Sequence, residues 1–223
     1  MLSWEPKDKG IGRFTKSRFK KIVVVGPQRS GTRFTTWVLS EDLGYTFIDQ
    51  KGIGLANWSR LLGQLDNHVK VVIQGTGCTH KIHELGRDDT LVVWVVRNPD
   101  EIDASEKRIR WGAHNLEAGK LPENWWDRQN ELLCQARYRY WTEVQRDQLP
   151  HWLEIRYDDL KHHHLYMPKE ERDKLRGGKG MEWNSCGEKK EKPSKDEGIC
   201  GDIHSSPRLR ESFQEAVGRV QKS

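Results

Sequence analysis

Gly26-Pro27-Gln28-Arg29-Ser30-Gly31-Thr32-Arg33 sets glycines, guanidinium groups and hydroxyls in one short run between an apolar stretch and a helix-patterned one. A turn from a strand into a helix aims several backbone N–H groups and the positive helix end at one point, where a phosphate can sit. Gly26 and Gly31 let the backbone come close, because no Cβ stands in the way. Arg29 adds a planar cationic fork, and Ser30 and Thr32 add hydroxyl donors. A second set of the same chemistry is Arg97-Asn98-Pro99-Asp100-Glu101-Ile102-Asp103-Ala104-Ser105. Pro99 closes a strand and Asp100 can begin a helix. Ser105 then lies just over one turn inside that helix, able to join Arg97 on an anion. Taken alone, a strand-end arginine is usually a surface ion pair. Its spacing after a phosphate-type turn favours binding.

The elements that must position these residues read as alternating strands and helices. Lys21–Val25 is a continuous β-branched run, as expected of a buried parallel strand. Thr32–Leu43 follows with helical spacing of Phe34, Trp37 and Val38, and Gly44 stops it. Further strands are expected at Tyr45–Asp49, Val69–Gln74, Leu91–Arg97 and Trp152–Tyr157. Helices are expected from near Asp100 to about Trp111 and from about Glu123 to Arg146. This alternation predicts a three-layer α/β fold of the P-loop type, with a parallel sheet of about five strands. Residues 1–20 read as a loosely held basic extension, 21–165 as the domain and 166–200 as a polar lid or disordered loop. Residues 201–223 read as a helix, with Ser206-Pro207 at its start, docking on the core.

The turn is not a Walker A sequence, since the Gly-Lys-Ser/Thr ending is missing. Neither later buried strand ends in an aspartate that could help hold Mg²⁺. A triphosphate needs a metal to offset its charge, whereas a sulfuryl group carries a single negative charge that basic side chains can meet. That difference favours sulfuryl over phosphoryl transfer.

Gln28-Arg29-Ser30-Gly31-Thr32-Arg33-Phe34 resembles the 5′-phosphosulfate loop of the sulfotransferase superfamily, with Gln28 in place of a proline and Arg33 in place of a small hydroxyl residue. Arg97 to Ser105 is similar to that family's 3′-phosphate motif. Leu153-Glu154-Ile155-Arg156-Tyr157-Asp158-Asp159-Leu160 resembles its strand followed by Tyr-Glu-Asp-Leu. The three matches fall in the family's order. The resemblance covers about Lys21 to Leu160. It implies 3′-phosphoadenosine 5′-phosphosulfate (PAPS) as co-substrate, with no metal required. It also implies a hydroxyl or amine acceptor on a small molecule or glycan. Phe34 falls where an aromatic ring often stacks on adenine, and Tyr157 is placed to reach the same base. Arg29 would stabilise charge on the leaving 5′-phosphate. Thr79-His80 looks like the tail of the family's Lys-Thr-His, although Gln74 stands where the strand-end lysine would fall. His80 is the first candidate for the general base, with His83 and Glu84 behind it. Arg176-Gly177-Gly178-Lys179-Gly180 is a fainter echo of a segment that closes over the nucleotide.

Composition bounds the alternatives. The chain has 223 residues, a net charge of +5, and 32% charged against 35% hydrophobic residues, so a compact core with polar extensions is expected. No apolar run approaches the roughly 20 residues of a membrane span. Four cysteines (Cys78, Cys134, Cys186, Cys200) make no disulfide framework, which points to a cytoplasmic setting. His162-His163-His164 with Cys186, Cys200 and His204 fits no compact zinc spacing, so no metal site is expected. Lys189–Lys195 mixes acids with its bases and reads as solvated, not as a nucleic-acid arm. Trp37, Trp94 and Trp152 fall in expected core elements. Trp58, Trp111, Trp125 and Trp126 are candidates to line an acceptor pocket. The rival readings are a kinase-like phosphotransferase and a nucleotide-binding protein without catalysis.

Overall fold

The protein is described here from a computed structural model, in residues 2–6, 12–109, 120–122, 125 and 131–168. The chain divides into two units, 1–163 and 164–223. Of the second unit only 164–168 are described, so the polar segment beyond Pro168 and the expected last helix lie outside the described residues.

The first unit holds a five-stranded, all-parallel sheet flanked by helices, a three-layer α/β architecture. Its chain order is β1 (Leu2–Pro6), β2 (Gly12–Ser17), β3 (Lys21–Val25), α1 (Thr32–Leu43), β4 (Thr46–Ile48) and α2 (Trp58–Asn67). Then come β5 (Val71–Gln74), β6 (Thr90–Val96), α3 (Pro99–Arg108), α4 (Leu133–Tyr140) and β7 (Trp152–Arg156). A 3₁₀ helix at Thr76–Glu84 links β5 to β6. The sheet order is β4-β5-β3-β6-β7, which puts β3 at the centre, paired in parallel with β5 and with β6. After β3 the chain moves outward to β4 and returns through β5. It then crosses to β6 and β7 on the other side. The ends of β3 and β6 therefore flank the point where connections diverge, the usual place for a ligand in an open parallel sheet.

Strand β3 is central because its side chains are apolar on both faces: Ile22, Val23, Val24 and Val25 are all fully buried. Val23, Val25, Val71, Ile73, Val92 and Trp94 share one face with Leu61 and Leu65 of α2, Ile82 and Trp141. The alternate residues Ile22, Val24, Val72 and Val93 turn to the opposite face, where α1 packs against β3 and β5. Trp94 and Trp141 stack at 4.4 Å with an 8° interplanar angle.

Local chemistry sets the ends of the helices that carry the site. Gly44 ends α1 in the left-handed region (φ 65°), its N–H donating to the Ser40 carbonyl. Asn98 caps α3 by accepting from the Asp100 N–H, with Pro99 in the first turn. Acids lie at the start of α3 and Lys107 and Arg108 at its end.

Several expectations change. Residues 1–20, expected to be a loose extension, contain β1 and β2, which pair antiparallel. Phe14 is buried, and its N–H donates to Asp42 Oδ2 at 2.7 Å. Of the long helix expected from about Glu123 to Arg146, residues 123–124 and 126–130 lie outside the described residues, and the rest holds α4, a π turn at Trp141–Gln145 and a 3₁₀ turn at Arg146–Gln148. Helix α2 has no counterpart in the sequence reading. Trp152, expected in the core, is 39% exposed on the edge strand β7, with Arg146 over its ring at 5.6 Å. Among the described residues β7 pairs only with β6.

Candidate functional site

The glycine turn leaves β3 with an unusual backbone. Gly26 has φ 146° and Gly31 φ 101°, and Arg29 holds φ 64°, a conformation that side chains seldom adopt. The Ser30 N–H closes a turn onto the Pro27 carbonyl at 3.2 Å, so Arg29 occupies a place where glycine is usual. Holding an arginine there costs about 1–2 kcal/mol. Such strain tends to persist at ligand clamps.

Two arginines interlock at the tips of the adjacent strands β3 and β6. Arg97 Nη1 donates to the Arg29 carbonyl at 3.0 Å, and Arg29 Nε donates to Ser105 Oγ at 3.2 Å. Arg97 is further held by Nε on Glu101 Oε2 at 2.9 Å, and its own peptide N–H and carbonyl both bond the Tyr138 hydroxyl. Its Nη2 has no partner among the described residues, which leaves part of the fork open. The guanidinium lies over the Tyr157 ring at 4.6 Å. Burial first, then the like charges of Arg108 and Arg97, lowers the Arg29 guanidinium from its ordinary pKa. Mutual repulsion among three cations is relieved by an anion set between them.

Tyr157 packs directly on the turn. A Cβ built on Gly31 would stand 2.2 Å from Tyr157 Cδ2, so the ring fills the space that any other residue would need. Gly31→Ala is therefore expected to lower the unfolding free energy by about 2 kcal/mol or more, from backbone strain and overpacking together. Urea denaturation measures it, and a loss below about 0.5 kcal/mol would mean that the ring moves aside freely. Phe34 meets Tyr157 edge-on at 6.4 Å and Trp37 at 5.9 Å.

The other expected residues divide. Ser30 is fully buried, and its Oγ has no hydrogen-bond partner among the described residues. Thr32 Oγ1 lies 2.8 Å from Thr76 Oγ1 and 3.3 Å from Gln74 Nε2, so the end of β5 meets the turn through hydroxyls and an amide. Gln28 is half-buried in the turn. Arg33 faces the end of β4, its Nη2 3.7 Å from Asp49 Oδ2. Asp158 makes no side-chain cap bond to the 3₁₀ turn Asp159–His162 and pairs with Lys161 at 2.5 Å.

The His80 segment joins the glycine turn through its neighbour. Thr79 Oγ1 accepts from the Gly26 N–H at 3.4 Å, and its one proton is shared between the Thr76 carbonyl at 2.7 Å and the Gly26 carbonyl at 3.2 Å. Burial first, then the positive charges of Lys120, Arg137 and Lys81, pushes the His80 pKa down to about 4, against a hydrogen bond to the Gly77 backbone that raises it. The ring is therefore neutral at pH 7, the form that accepts a proton. Burial also lowers the His83 pKa, and His83 stands edge-on to Tyr140 at 6.1 Å. Glu84 is exposed at the end of the 3₁₀ helix.

No protein-family model, curated protein or solved structure matches this chain. Its functional reading thus stands on the residues themselves. The sequence reading missed Arg108, Tyr138, Glu101 and Gln74 as partners of the cluster. Two had a local signal: Arg108 lies three residues after Ser105 on the same helix, and Glu101 lies four after Arg97.

Outside this cluster, Trp125 is half-buried beneath Arg139 at 4.7 Å and meets Tyr140 at 5.0 Å, while Trp58 packs partly into the core. Trp111 and Trp126 lie outside the described residues, as do Cys186, Cys200, His204 and residues 176–180. His163 Nε2 donates to Asp42 Oδ2, 2.6 Å away, in a buried pair beside Phe14. Burial raises the Cys78 thiol to about 11 and the Cys134 thiol to about 12, so neither is a ready nucleophile. Among the described residues no helix is long and apolar enough to cross a membrane.

Proposed function

We propose that this chain binds PAPS between the glycine turn and the β6–α3 junction. We further propose that it transfers the sulfuryl group to a hydroxyl or amine on a small-molecule or glycan acceptor. The observation that carries the reading is the interlock of Arg29 and Arg97. Each strand tip presents a guanidinium, each arginine is held by a group from the other tip, and Ser105 joins them. One nucleotide with an anionic group at both its 3′ and 5′ positions suits two neighbouring cationic sites better than a triphosphate does. A triphosphate also needs a metal-binding carboxylate, and β5 and β6 lead into Gln74 and Arg97 instead.

The donor set fits such a ligand. Ser30 Oγ is a buried polar atom in need of a partner, and a phosphate oxygen would supply one. The turn opens helix α1, whose N-terminal end favours an anion, and Arg29 supplies charge. Tyr157 and Phe34 offer aromatic surface beside Arg97 for a base.

The bound donor contributes an activated sulfur–oxygen bond. His80 takes the acceptor's proton as the acceptor oxygen or nitrogen bonds to sulfur. The bond from sulfur to the 5′-phosphate oxygen breaks, and Arg29, with the Ser30 and Thr32 hydroxyls, stabilises the electron pair left there. Adenosine 3′,5′-bisphosphate departs. Incubation of the full chain with ³⁵S-labelled donor and a library of hydroxyl and amine acceptors, in EDTA, is expected to yield a labelled product. Phosphate transfer from ATP–Mg²⁺, with none from the sulfuryl donor, would favour the kinase-like reading instead.

A further inference from the structure

Gln145 is 1% exposed and ends the π turn that follows α4. Its Nε2 lies 2.8 Å from the Thr79 carbonyl oxygen, 3.2 Å from the His80 carbonyl oxygen and 3.2 Å from His83 Nδ1. Carbonyl oxygens only accept, so the nitrogen end of the amide must face this segment. The same nitrogen favours a His83 tautomer whose Nδ1 is bare and accepting. The amide thus grips the carbonyl before the His80 nitrogen and the carbonyl after its Cα. From the other side, Thr79 Oγ1 accepts from the Gly26 N–H at 3.4 Å, and the same oxygen shares its one proton between the Thr76 carbonyl, 2.7 Å away, and that of Gly26, 3.2 Å away. The backbone at 79–80 is pinned between the glycine turn and the π turn.

The opposite end of the amide argues against simple space-filling. Gln145 Oε1 is buried and has no hydrogen-bond partner among the described residues. An unmatched buried carbonyl is unfavourable, and an apolar side chain of similar size would avoid it. The donor end must offset that disadvantage. A π turn commonly marks a functional place in a helix, because it redirects the side chains that follow.

We propose that Gln145 is a positioning residue for His80. Its amide fixes the backbone at 79–80, and with it the place of the imidazole relative to the glycine turn. The inference rests on the reading of His80 as the base. The charged and titratable groups around the ring are Lys120, Arg137 and Lys81, with His83 and Glu84 on its own 3₁₀ helix.

The test uses the full chain and the variant Gln145→Met, which keeps the size and removes the donor. NMR titration of His80 is expected to move from about 4 towards the ordinary histidine value, as the ring loses burial. Turnover is expected to fall about tenfold or more, while affinity for adenosine 3′,5′-bisphosphate stays within about threefold. The double variant His80→Ala/Gln145→Met should be no slower than His80→Ala alone, because both changes act on one function. Unchanged titration of His80, or a second full loss in the double variant, overturns the inference. Gln145→Asn keeps the amide but falls short of its acceptors, and it is expected to shift the titration the same way if the Met variant does not fold. The titration needs no turnover. If the wild-type chain fails to bind the bisphosphate, the nucleotide reading falls, while the titration still decides the role of Gln145.

Discussion

Arg97→Ala is expected to weaken binding of adenosine 3′,5′-bisphosphate by about 10²–10³-fold, because truncating one partner of a buried, charge-assisted contact costs about 2–5 kcal/mol. The variant removes the fork that bonds the Arg29 carbonyl and lies over Tyr157. A control separates its direct and indirect effects. Adenosine 5′-monophosphate lacks the 3′-phosphate, so its affinity should fall only indirectly, through loss of the one charge-assisted bond that braces the Arg29 carbonyl, and by less than that of the bisphosphate. Titration calorimetry of both ligands against both proteins gives the four numbers. Equal losses for the two ligands would mean that Arg97 braces the turn and takes no part in binding the 3′ end.

His80→Ala should lower turnover by about 10²–10⁴-fold and leave bisphosphate affinity almost unchanged, the range expected for loss of a general base. The pH dependence is the sharper sign. Because the folded ring titrates at about 4, the acid limb of kcat/KM for the wild-type chain should lie near there and not near 6.5, and His80→Ala should abolish that limb. Stability follows the same group. Between 6.5 and about 4 the unfolded chain binds a proton that the folded ring refuses, so stability falls as the pH drops through that window and levels off below it. Denaturation midpoints of the wild type and His80→Ala between pH 4 and 7 measure this slope. An acid limb that persists in His80→Ala would transfer the base to another residue, with His83 next in line.

The parts of this fold that were legible in the sequence are those whose chemistry is local. The run of β-branched residues at 22–25 reads as a strand buried on both faces, and Gly31 and Gly44 bracket α1 at the limits read from them. Asn98-Pro99 sets the start of α3 through a cap that reaches two residues on. Those two junctions carry Arg29, Arg97 and Ser105, so most of the cationic cluster was legible too.

What escaped depends on partners far away in the chain. Strand β2 is stabilised by Phe14 bonding Asp42 and stacking near His163, and residues 12–17 carry no sign of either. Helix α2 has an Asn57 cap but buries only Leu61 and Leu65 fully, too sparse a stripe to stand out among polar neighbours. The segment 76–84 follows no helical or strand period, because its 3₁₀ turns are fixed from outside by Gly26 and Gln145. Gln145 itself lies in an expected helix as one polar residue among several, with no local sign that it is buried. Tyr138 was placed on that helix with no hint that its hydroxyl would close on both backbone groups of Arg97.

Thermal unfolding of the full chain in EDTA, with and without adenosine 3′,5′-bisphosphate, bears most directly on whether two anion sites are built side by side. At 100-fold over its dissociation constant the bisphosphate should add about 2.7 kcal/mol of stability, with the wild-type midpoint rising and that of Arg97→Ala unmoved. A midpoint indifferent to the bisphosphate yet raised by ATP–Mg²⁺ would contradict the account.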